Sequence, residues 1–324
     1  MYSFKEIQEI VENQLSQMQI IKEPEQLYRP IQYTLESGGK RVRPAFVLMG
    51  CNLFRDNITD AYFPAIALEM FHNFTLLHDD IMDNSTVRRG KPTVHEKWNS
   101  NSAILSGDAM SIKAYELLSE YSGDNFREII RLFNKTALDV CEGQQMDMNF
   151  ENMKIVSENE YLKMIELKTA ALLAGSIKIG ALIGGADENN AQRLFEFGKF
   201  LGLSFQLQDD YLDLFGDPEI FGKKIGGDIV SNKKTYLLIK AIERADEEDR
   251  KKIQALIEMT DYEPEEKISR AKVFFDKYSV ANITAEKIRE YNELAKRYFE
   301  DVTVEKKRKK PLLEVAGMLM NREK

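Results

Sequence analysis

Two short aspartate motifs are the residues of this sequence best suited to chemistry. The first, LLHDDIMD, contains Asp79 and Asp83, and the second, LQDDYLDLFGD, contains Asp209 and Asp213. Each pair is spaced by four residues, so on a helix its two carboxylates share one face. Grouped carboxylates repel one another, and burial strengthens the repulsion. We predict bound Mg²⁺, because this cation takes oxygen ligands, keeps waters and is completed by phosphate oxygens of a substrate.

A single motif of this kind is more often a solvated acidic face of a helix than a metal site. Here each motif follows apolar residues, with Phe74 and Leu77 before the first and Phe205 and Leu207 before the second. Both carboxylate pairs are therefore predicted at the ends of helices that otherwise belong to the core. Two copies in this setting favour metal and phosphate binding over two solvated surfaces.

Basic residues flank both aspartate motifs in loops that contain glycine. They are Lys40, Arg41 and Arg43 in SGGKRVRP, Arg88, Arg89 and Lys91 in STVRRGKPTVH, and Lys223, Lys224, Lys233 and Lys234 in GKKIGGDIVSNKKT. Arginine binds phosphate through a planar fork of donors, and lysine binds it as a point charge. The sequence thus predicts two diphosphate sites, one bridged by metal ions and one bound by Arg and Lys alone. His72, seven residues before Asp79, is either a phosphate contact or a core histidine.

Helices must position these residues. Apolar residues recur three and four positions apart over 62–83 and 191–213, and glycine (18) and proline (8) are scarce among the 324 residues. This spacing is typical of helices, and nothing in the sequence requires a sheet. We predict a single all-α domain over residues 1–324, with roughly ten helical segments of the kind that pack into bundles.

Composition excludes several classes of protein. The net charge of −8 gives no electrostatic reason to bind nucleic acid, and two cysteines cannot form a disulfide framework. We find no signal peptide and expect a cytoplasmic protein. The apolar run over 170–186 has 17 residues with Lys178 in its middle, which is short for a membrane span. We predict a buried core helix there and no transmembrane segment.

The order of the motifs resembles one family. GGKRVRP, LLHDDIMD with RRGKPTVH, LKTA, FQLQDDYLDLFGDP with KKIGGDI, and NKKT follow one another over residues 37–235. The chain thereby resembles the trans-isoprenyl diphosphate synthases of the polyprenyl synthetase family, of the farnesyl and geranylgeranyl diphosphate synthase type. That resemblance implies a single large helical bundle of the class I isoprenoid synthase type, with about ten or more helices around a central cavity.

The resemblance also implies roles for individual residues. Asp79 and Asp83 would bind two of three Mg²⁺ ions, and Asp209 would bind the third, supported by Asp210 and Asp213. The allylic diphosphate would contact Arg88, Lys168, Lys224 and Lys233, and isopentenyl diphosphate would contact Lys40, Arg43, His72 and Arg89. Thr169 and Gln206 would place oxygens near the developing allylic cation. Many relatives have one lysine where this chain has Lys223 and Lys224, so either of them could make that contact.

The implied reaction joins isopentenyl diphosphate head to tail to an allylic diphosphate such as dimethylallyl, geranyl or farnesyl diphosphate. Product length would depend on Thr75, Phe74 and Phe71, which precede Asp79 by four, five and eight residues. In this family a bulky residue at the fifth position before the motif tends to form the floor of the pocket. Two phenylalanines therefore predict a C15 or C20 product, and ordinary core packing is the alternative interpretation of both.

Three rival functions stay open at this point. A synthase of longer chains would need small residues at the floor. A terpene cyclase would need no second diphosphate site, and its second metal motif usually differs from DDxxD. A non-catalytic synthase subunit tends to lose one aspartate motif, whereas both are present here. The family also forms homodimers, and we expect one here.

Overall fold

Helices account for almost all regular structure in this protein. The computed structural model describes residues 1–216, 225–259 and 262–320. In chain order the α-helices are α1 (Phe4–Gln17), α2 (Glu25–Leu35), α3 (Val42–Phe54), α4 (Tyr62–Met82), α5 (Val94–Lys97), α6 (Ser100–Ser119), α7 (Phe126–Glu151), α8 (Glu158–Ile165), α9 (Ala171–Gly184), α10 (Glu188–Phe215), α11 (Gly227–Val230), α12 (Tyr236–Arg244), α13 (Glu247–Glu258), α14 (Pro264–Lys277), α15 (Val280–Glu300) and α16 (Lys306–Met320). A 3₁₀ turn covers Thr59–Ala61, and a π-helical turn covers Glu166–Ala170. The predicted all-α class is confirmed.

One short β-ribbon departs from the purely helical prediction. Strand β1 (Val87–Arg88) pairs antiparallel with β2 (Lys91–Pro92). Arg89 and Gly90 connect them with φ values of 53° and 73°, and a two-residue turn with both φ angles positive matches the right-handed twist of a hairpin. Strands of two residues show no alternation of apolar and polar side chains, so the sequence pattern could not reveal them.

Polar side chains cap the N-termini of several helices. Ser157 and Glu160 form a capping box at α8, in which the Ser157 N–H donates to Glu160 Oε2 over 2.9 Å. Asn99 accepts a hydrogen bond from the Ser102 N–H at α6 over 2.8 Å, and Thr235 caps α12. Such caps satisfy backbone N–H groups that have no partner within the helix, each contributing about 1 kcal/mol.

The chain divides into two compact units. Unit 1 consists of Met1–Asn134, Gly175–Phe195 and Val302–Val315, and unit 2 consists of Lys135–Ala174, Glu196–Asp301 and Ala316–Lys324. The prediction of one domain over residues 1–324 stays a prediction. The first aspartate motif belongs to unit 1, and the second belongs to unit 2.

Unit 1 contains a close contact between the backbones of α3 and α9. A Cβ atom added to Gly180 would lie 1.9 Å from the carbonyl oxygen of Val47, so only glycine fits there. The buried ion pair between Arg41 and Glu69, 2.7 Å long, lies in the same unit. Lys178 donates from α9 to Glu188 over 2.9 Å, which gives the one charge of the apolar run a partner.

Unit 2 contains two hydrophobic clusters. One includes Phe150, Tyr161, Leu207 and Tyr236, and packs α8 and α12 against α10. The other surrounds Phe275 and packs α12, α13 and α14 together. The end of α10, which carries the second aspartate motif, is therefore fixed by buried apolar contacts on two sides.

The helical stretch Glu158–Gly184 contains the apolar run of the sequence. Among the described residues it is the one stretch long and apolar enough to cross a membrane by length and composition. Its most apolar part is 78% buried inside the protein. This burial supports the prediction of a core helix over 170–186.

Candidate active site

The first aspartate motif lies at the C-terminal end of α4. Asp79 is half-buried, Asp80 is buried and Asp83, the C-cap residue, is exposed. The Asp83 N–H donates to the Asp79 carbonyl oxygen over 2.8 Å, so the helical turn continues to the last aspartate. The two carboxylates at positions 79 and 83 are therefore on one face of the helix, as the spacing predicts.

Arg88 is held against this motif by the β-ribbon. Its Nε donates to Asp80 Oδ1 over 2.7 Å, and its Nη2 lies 3.4 Å from Asp79 Oδ2. Burial raises the pKa of Asp80, and the Arg88 guanidinium opposes that rise. The middle aspartate thus anchors an arginine beside the motif, whereas the outer pair remains more accessible.

Arg43, His72 and Arg89 form the other basic group of unit 1. Arg43 Nη1 lies 3.0 Å from His72 Nε2. Burial, with the positive charge of Arg89, lowers the pKa of Arg43 to about 10, and burial with Arg43 holds the pKa of His72 well below its ordinary value. Because guanidinium can only donate, neutral His72 must accept at Nε2 and carry its proton on Nδ1.

Glycine residues 38 and 39 bring backbone close to Arg89. Arg89 Nη1 donates to the Gly38 carbonyl oxygen, and a Cβ atom on Gly39 would lie 3.0 Å from the guanidinium. The neighbouring Lys40 is exposed, and its carbonyl oxygen accepts a hydrogen bond from Gln8 over 2.8 Å. The predicted basic group of unit 1 is therefore arranged by the SGG turn.

Arg41 does not belong with that basic group. It is buried, and its guanidinium donates to Glu69 and Glu12 over 2.7 Å each and to the Leu35 carbonyl oxygen over 2.6 Å. A guanidinium with three internal acceptors is committed to the protein, because breaking a buried ion pair costs about 3–5 kcal/mol. The sequence pattern could not separate this structural arginine from its neighbours.

The second aspartate motif lies on α10 in a pocket of unit 2. Asp210 is buried, and it accepts hydrogen bonds from the Tyr161 hydroxyl, from Gln206 Nε2 over 3.1 Å and from the Tyr236 N–H over 3.3 Å. Burial raises the pKa of Asp210 to about 6, against the opposing effect of these donors. Asp209 and Asp213 are half-buried and line the pocket.

Two acidic residues of this pocket were missed by the sequence analysis. Asp228 lies on α11, and its N–H donates to Asp213 Oδ2 over 3.1 Å. Burial, followed by the charges of Asp213 and Asp210, raises the pKa of Asp228 to about 7. Asp147 on α7 accepts a hydrogen bond from Lys168 Nζ over 2.5 Å. Neither residue belongs to a DDxxD pattern, so the spacing rule that located the motifs could not find them.

A π-helical turn presents Lys168 and Thr169 to the same pocket. Such turns are rare and are frequent at functional sites. The Thr169 hydroxyl donates to Gln206 Oε1 over 3.0 Å, which links the turn to α10. A Cβ atom on Gly143 would lie 2.2 Å from the Lys168 backbone nitrogen. A glycine on α7 thus allows the backbone to approach this turn closely.

The remaining predicted cations fall into two groups. Lys233 lines the pocket of unit 2 together with Lys234, whose pKa is lowered by burial. Lys224, and Lys223 beside it, lie outside the described residues. The pocket therefore has carboxylates from α7, α10 and α11 together with the amines of Lys168, Lys233 and Lys234.

The predicted length-determining residues lie among aromatic rings in unit 1. Phe71 is buried and Phe74 is half-buried, with ring centroids 5.4 Å apart. The ring of Phe133 on α7 makes an edge-to-face contact with the Phe71 ring, with centroids 5.4 Å apart. The His78 ring makes the same kind of contact with the Phe74 ring, with centroids 4.8 Å apart. Thr75 donates its hydroxyl to the His72 carbonyl oxygen over 2.8 Å, so it presents mainly its methyl group.

The donors of both motifs fit magnesium. Each motif offers paired carboxylate oxygens, which are hard ligands that Mg²⁺ prefers. Within the ranges that the structure describes, no three Asp, Glu, His or Cys side chains meet as a ready-made metal cluster. A magnesium ion at either motif would therefore take water and diphosphate oxygens as further ligands.

Several known proteins are similar to this chain in sequence and in fold. Residues 24–274 match the family model for polyprenyl synthetase. A geranylgeranyl diphosphate synthase of Methanosarcina mazei is 43% identical over 226 residues, which cover 69% of this chain and 70% of that protein. A geranylgeranyl pyrophosphate synthase of Geoglobus acetivorans is 38% identical, with 98% of both chains covered. A crystal structure of a geranylgeranyl pyrophosphate synthase superimposes with a TM-score of 0.94 at 43% identity, covering 100% of both chains.

The chain therefore belongs to the polyprenyl synthetase family, and the resemblance inferred from the motifs is confirmed. It is an enzyme of the transferase class that forms short prenyl diphosphates, in a family that depends on magnesium.

Proposed function

We propose that this protein condenses isopentenyl diphosphate with allylic diphosphates to give geranylgeranyl diphosphate, the all-trans C20 product. The residues alone allow C15 or C20. The similarity over the full chain to a geranylgeranyl pyrophosphate synthase favours C20. Dimethylallyl, geranyl and farnesyl diphosphates are the expected allylic substrates.

The pocket of unit 2 is the observation that carries the proposal. Asp209 and Asp213 line it together with Lys168 and Lys233. A magnesium diphosphate needs carboxylates for the metal and cations for the phosphate oxygens not bound to metal. This combination supports binding of a metal diphosphate better than binding of a neutral or purely anionic ligand.

In the proposed arrangement three Mg²⁺ ions are held by Asp79, Asp83 and Asp209, with Asp213 in support. The allylic diphosphate contacts Arg88, Lys168, Lys233 and Lys224, and isopentenyl diphosphate contacts Lys40, Arg43, His72 and Arg89. The hydrogen bond of Arg43 to His72 supports the second set, because it orients an arginine whose Nε has no protein partner within the described residues.

The protein would act on the reaction by charge and by orientation. Magnesium, when bound, neutralises negative charge on the leaving diphosphate. Lys168, fixed by Asp147 over 2.5 Å, is preorganised to donate to the same developing charge. The Thr169 hydroxyl donates a hydrogen bond to Gln206 Oε1 over 3.0 Å, so its oxygen lone pairs are available to face the allylic cation. The allylic C–O bond breaks, and its electron pair leaves with the diphosphate. The isopentenyl double bond then attacks the resulting cation, and the departed diphosphate takes the proton released.

Phe74 and Phe71 would end the pocket for the growing chain. On a helix they lie roughly 7 and 12 Å from the level of Asp79. Their edge contacts with His78 and Phe133 support a fixed floor, since each ring is held from two sides. A floor at this depth favours a short product over a long polyprenyl chain.

We also propose a homodimer of cytoplasmic chains, each functioning as one domain. Helix α6 presents exposed apolar residues on one side, and these are Ile104, Leu105, Ile112 and Tyr115. A stripe of this kind is typical of an interface between proteins. Sedimentation of the purified protein tests the dimer directly, and a monomer at micromolar concentration would contradict it.

Product analysis tests the proposed function. The purified protein is incubated with Mg²⁺, labelled isopentenyl diphosphate and, separately, C5, C10 and C15 allylic diphosphates, and the dephosphorylated alcohols are sized. A C20 alcohol from all three substrates is expected, and chelation of Mg²⁺ should stop its formation reversibly. Chains beyond C25 would contradict the aromatic floor, a released hydrocarbon would indicate a cyclase, and no elongation would indicate a non-catalytic subunit.

A further inference from the structure

The lysine loop, defined as residues 231–235 (SNKKT), connects α11 to α12. Three of its residues, Lys233, Lys234 and Thr235, line the pocket of unit 2. Asn232 has a φ of 57°, in the left-handed region that Asn adopts more readily than most residues. The loop closes the end of α11, because the Asn232 N–H donates to the Ile229 carbonyl oxygen over 3.2 Å and the Lys233 N–H donates to the Asp228 carbonyl oxygen over 2.9 Å. Contacts from α14 add to these backbone hydrogen bonds.

Lys267 on α14 makes the most unusual of these contacts. It is 1% exposed, and its Nζ donates to Asn232 Oδ1 over 2.6 Å. The same Nζ lies 4.0 Å from the centroid of the Tyr262 ring. Burial lowers the pKa of Lys267, and the charge of Lys234 lowers it further.

The other surroundings of Lys267 are mostly apolar. It lines a small cavity together with Lys233 and Thr235 of the lysine loop, and most of the remaining wall is apolar, including Leu238, Leu256 and Phe275. An ammonium group buried among such residues costs free energy unless hydrogen bonds or ring contacts compensate it. An apolar side chain at this position would avoid that cost, so packing alone does not explain the lysine.

Two further contacts, one from Tyr262 just before α14 and one from Ile268 on α14, reach residues 226–230, which precede the lysine loop. The Tyr262 hydroxyl donates to the Val230 carbonyl oxygen over 2.8 Å. A Cβ atom on Gly226 would lie 2.7 Å from Ile268 Cδ1, so the backbone there is pressed against α14. The start of α14 thus contacts this segment at its beginning and near its end.

The opposite side of the segment is bound to the second aspartate motif. The Gly226 N–H donates to the Asp213 carbonyl oxygen over 2.7 Å, and the Asp228 N–H donates to Asp213 Oδ2 over 3.1 Å. Residues 226–232 therefore lie between the aspartate motif and α14. The position of Lys233 relative to that motif depends on both attachments.

We propose that Lys267 is a positioning residue that holds the lysine loop, through Asn232, in the conformation that binds the allylic diphosphate. The inference rests on the proposed function, since it assigns Lys233 to that substrate. Lys267 itself lies behind the loop and touches no reacting atom in this arrangement. Its effect should therefore appear in the affinity for one substrate and not in the chemistry.

Lys267→Met tests the inference, because methionine keeps an unbranched apolar side chain and removes the ammonium group. We expect the KM for the allylic diphosphate to rise about tenfold, equivalent to about 1.4 kcal/mol. The kcat and the KM for isopentenyl diphosphate should stay within twofold. Lys277→Met is the matched control, since Lys277 lies at the other end of α14 and pairs with Asp249; it should change neither KM.

A binding measurement separates affinity from turnover. Titration calorimetry with inorganic diphosphate and Mg²⁺ should show a weaker complex for Lys267→Met than for the wild type or the control. Lys267→Met added to Lys233→Ala should have less than a twofold further effect on the allylic KM. A merely structural role would instead add its full effect in that background and would raise both KM values.

Asn232→Gly tests the same contact from the other side. Glycine accepts the positive φ and lacks the side chain that carries Oδ1, so this variant should reproduce the rise in the allylic KM even if Lys267→Met does not fold. An unchanged allylic KM in Asn232→Gly, or in folded Lys267→Met, would overturn the inference. Wild-type protein that forms no prenyl diphosphate would refute the proposed function instead, so the two failures are distinguishable.

Discussion

Phe74→Ala should lengthen the product by one isoprene unit. Phe74 is half-buried on α4, and its ring lies between His78 and Phe71. Removing the ring opens the pocket down to Phe71, which lies three residues before Phe74 on the helix and therefore farther from Asp79. Because the rise is 1.5 Å per residue, the pocket gains about 4.5 Å of depth.

The added depth can be compared with the length of the substrate. An isoprene unit contributes four chain bonds, and an extended chain advances about 1.2 Å per bond, so one unit needs about 5 Å. The expected product of Phe74→Ala is therefore mainly C25 where the wild type gives C20. Phe71→Ala alone should leave the length unchanged, because Phe74 still closes the pocket, although loss of a buried ring costs about 3–5 kcal/mol of stability.

Radiolabelled alcohols sized after dephosphorylation provide the measurement, with C15 allylic diphosphate as the starter. Phe63→Ala is the control, since Phe63 is exposed on the first turn of the same helix and far from Asp79. The control should keep the wild-type product. A Phe74→Ala enzyme that is active and has the wild-type product distribution would refute the assignment of the floor, and longer products from Phe71→Ala alone would refute the order of the two rings.

Three other predictions concern the two motifs and their supports. Asp79→Ala and Asp209→Ala should each lower kcat at least 10³-fold with an unchanged melting temperature; near-normal rates in either variant would contradict the metal assignment. His72 is neutral in the folded protein, because its pKa is held well below 6.5. The unfolded chain binds a proton there below about pH 6.5, so lowering the pH below that value should reduce the free energy of unfolding by at most about 1.4 kcal/mol per pH unit. Urea midpoints at pH 7.5 and 5.5 should show a smaller fall in His72→Gln, and an equal fall would contradict the neutral histidine. Gly143→Ala places a Cβ atom 2.2 Å from the Lys168 nitrogen, so it should lower both the melting temperature and kcat, and wild-type values of both would contradict the close packing.

The helical class and both aspartate motifs could be predicted from the sequence, because each depends on local spacing. Asp79 and Asp83 fall on one helical face for the same reason that the apolar residues before them do. The sequence indicated only in part that the second aspartate of each motif, Asp80 or Asp210, has a role different from that of the others. Asp80 and Asp210 are buried and accept hydrogen bonds from within the protein, a difference that identical residue types in one motif cannot reveal.

Features that depend on partners distant in the chain could not be predicted. Asp147 is 21 residues from Lys168, and Tyr161 is 49 residues from Asp210. The π-helical turn also has no local pattern of its own, since its sequence ELKTA would suit an ordinary α-helix. The two residue pairs and the π-helical turn all depend on tertiary contacts, which the spacing of residues along a single helix cannot predict.

The contact between Gly180 and Val47 limits how this enzyme can be made more heat-resistant. Replacing helical glycine with alanine ordinarily gains up to about 1 kcal/mol, because alanine loses less backbone entropy on folding. That route is closed at Gly180, where a methyl group would overlap a carbonyl oxygen. It stays open at Gly317 on α16, where an added Cβ atom would meet nothing within 4 Å. An engineer seeking a more durable catalyst would begin with such unobstructed helical positions and leave the crossing of α3 and α9 untouched.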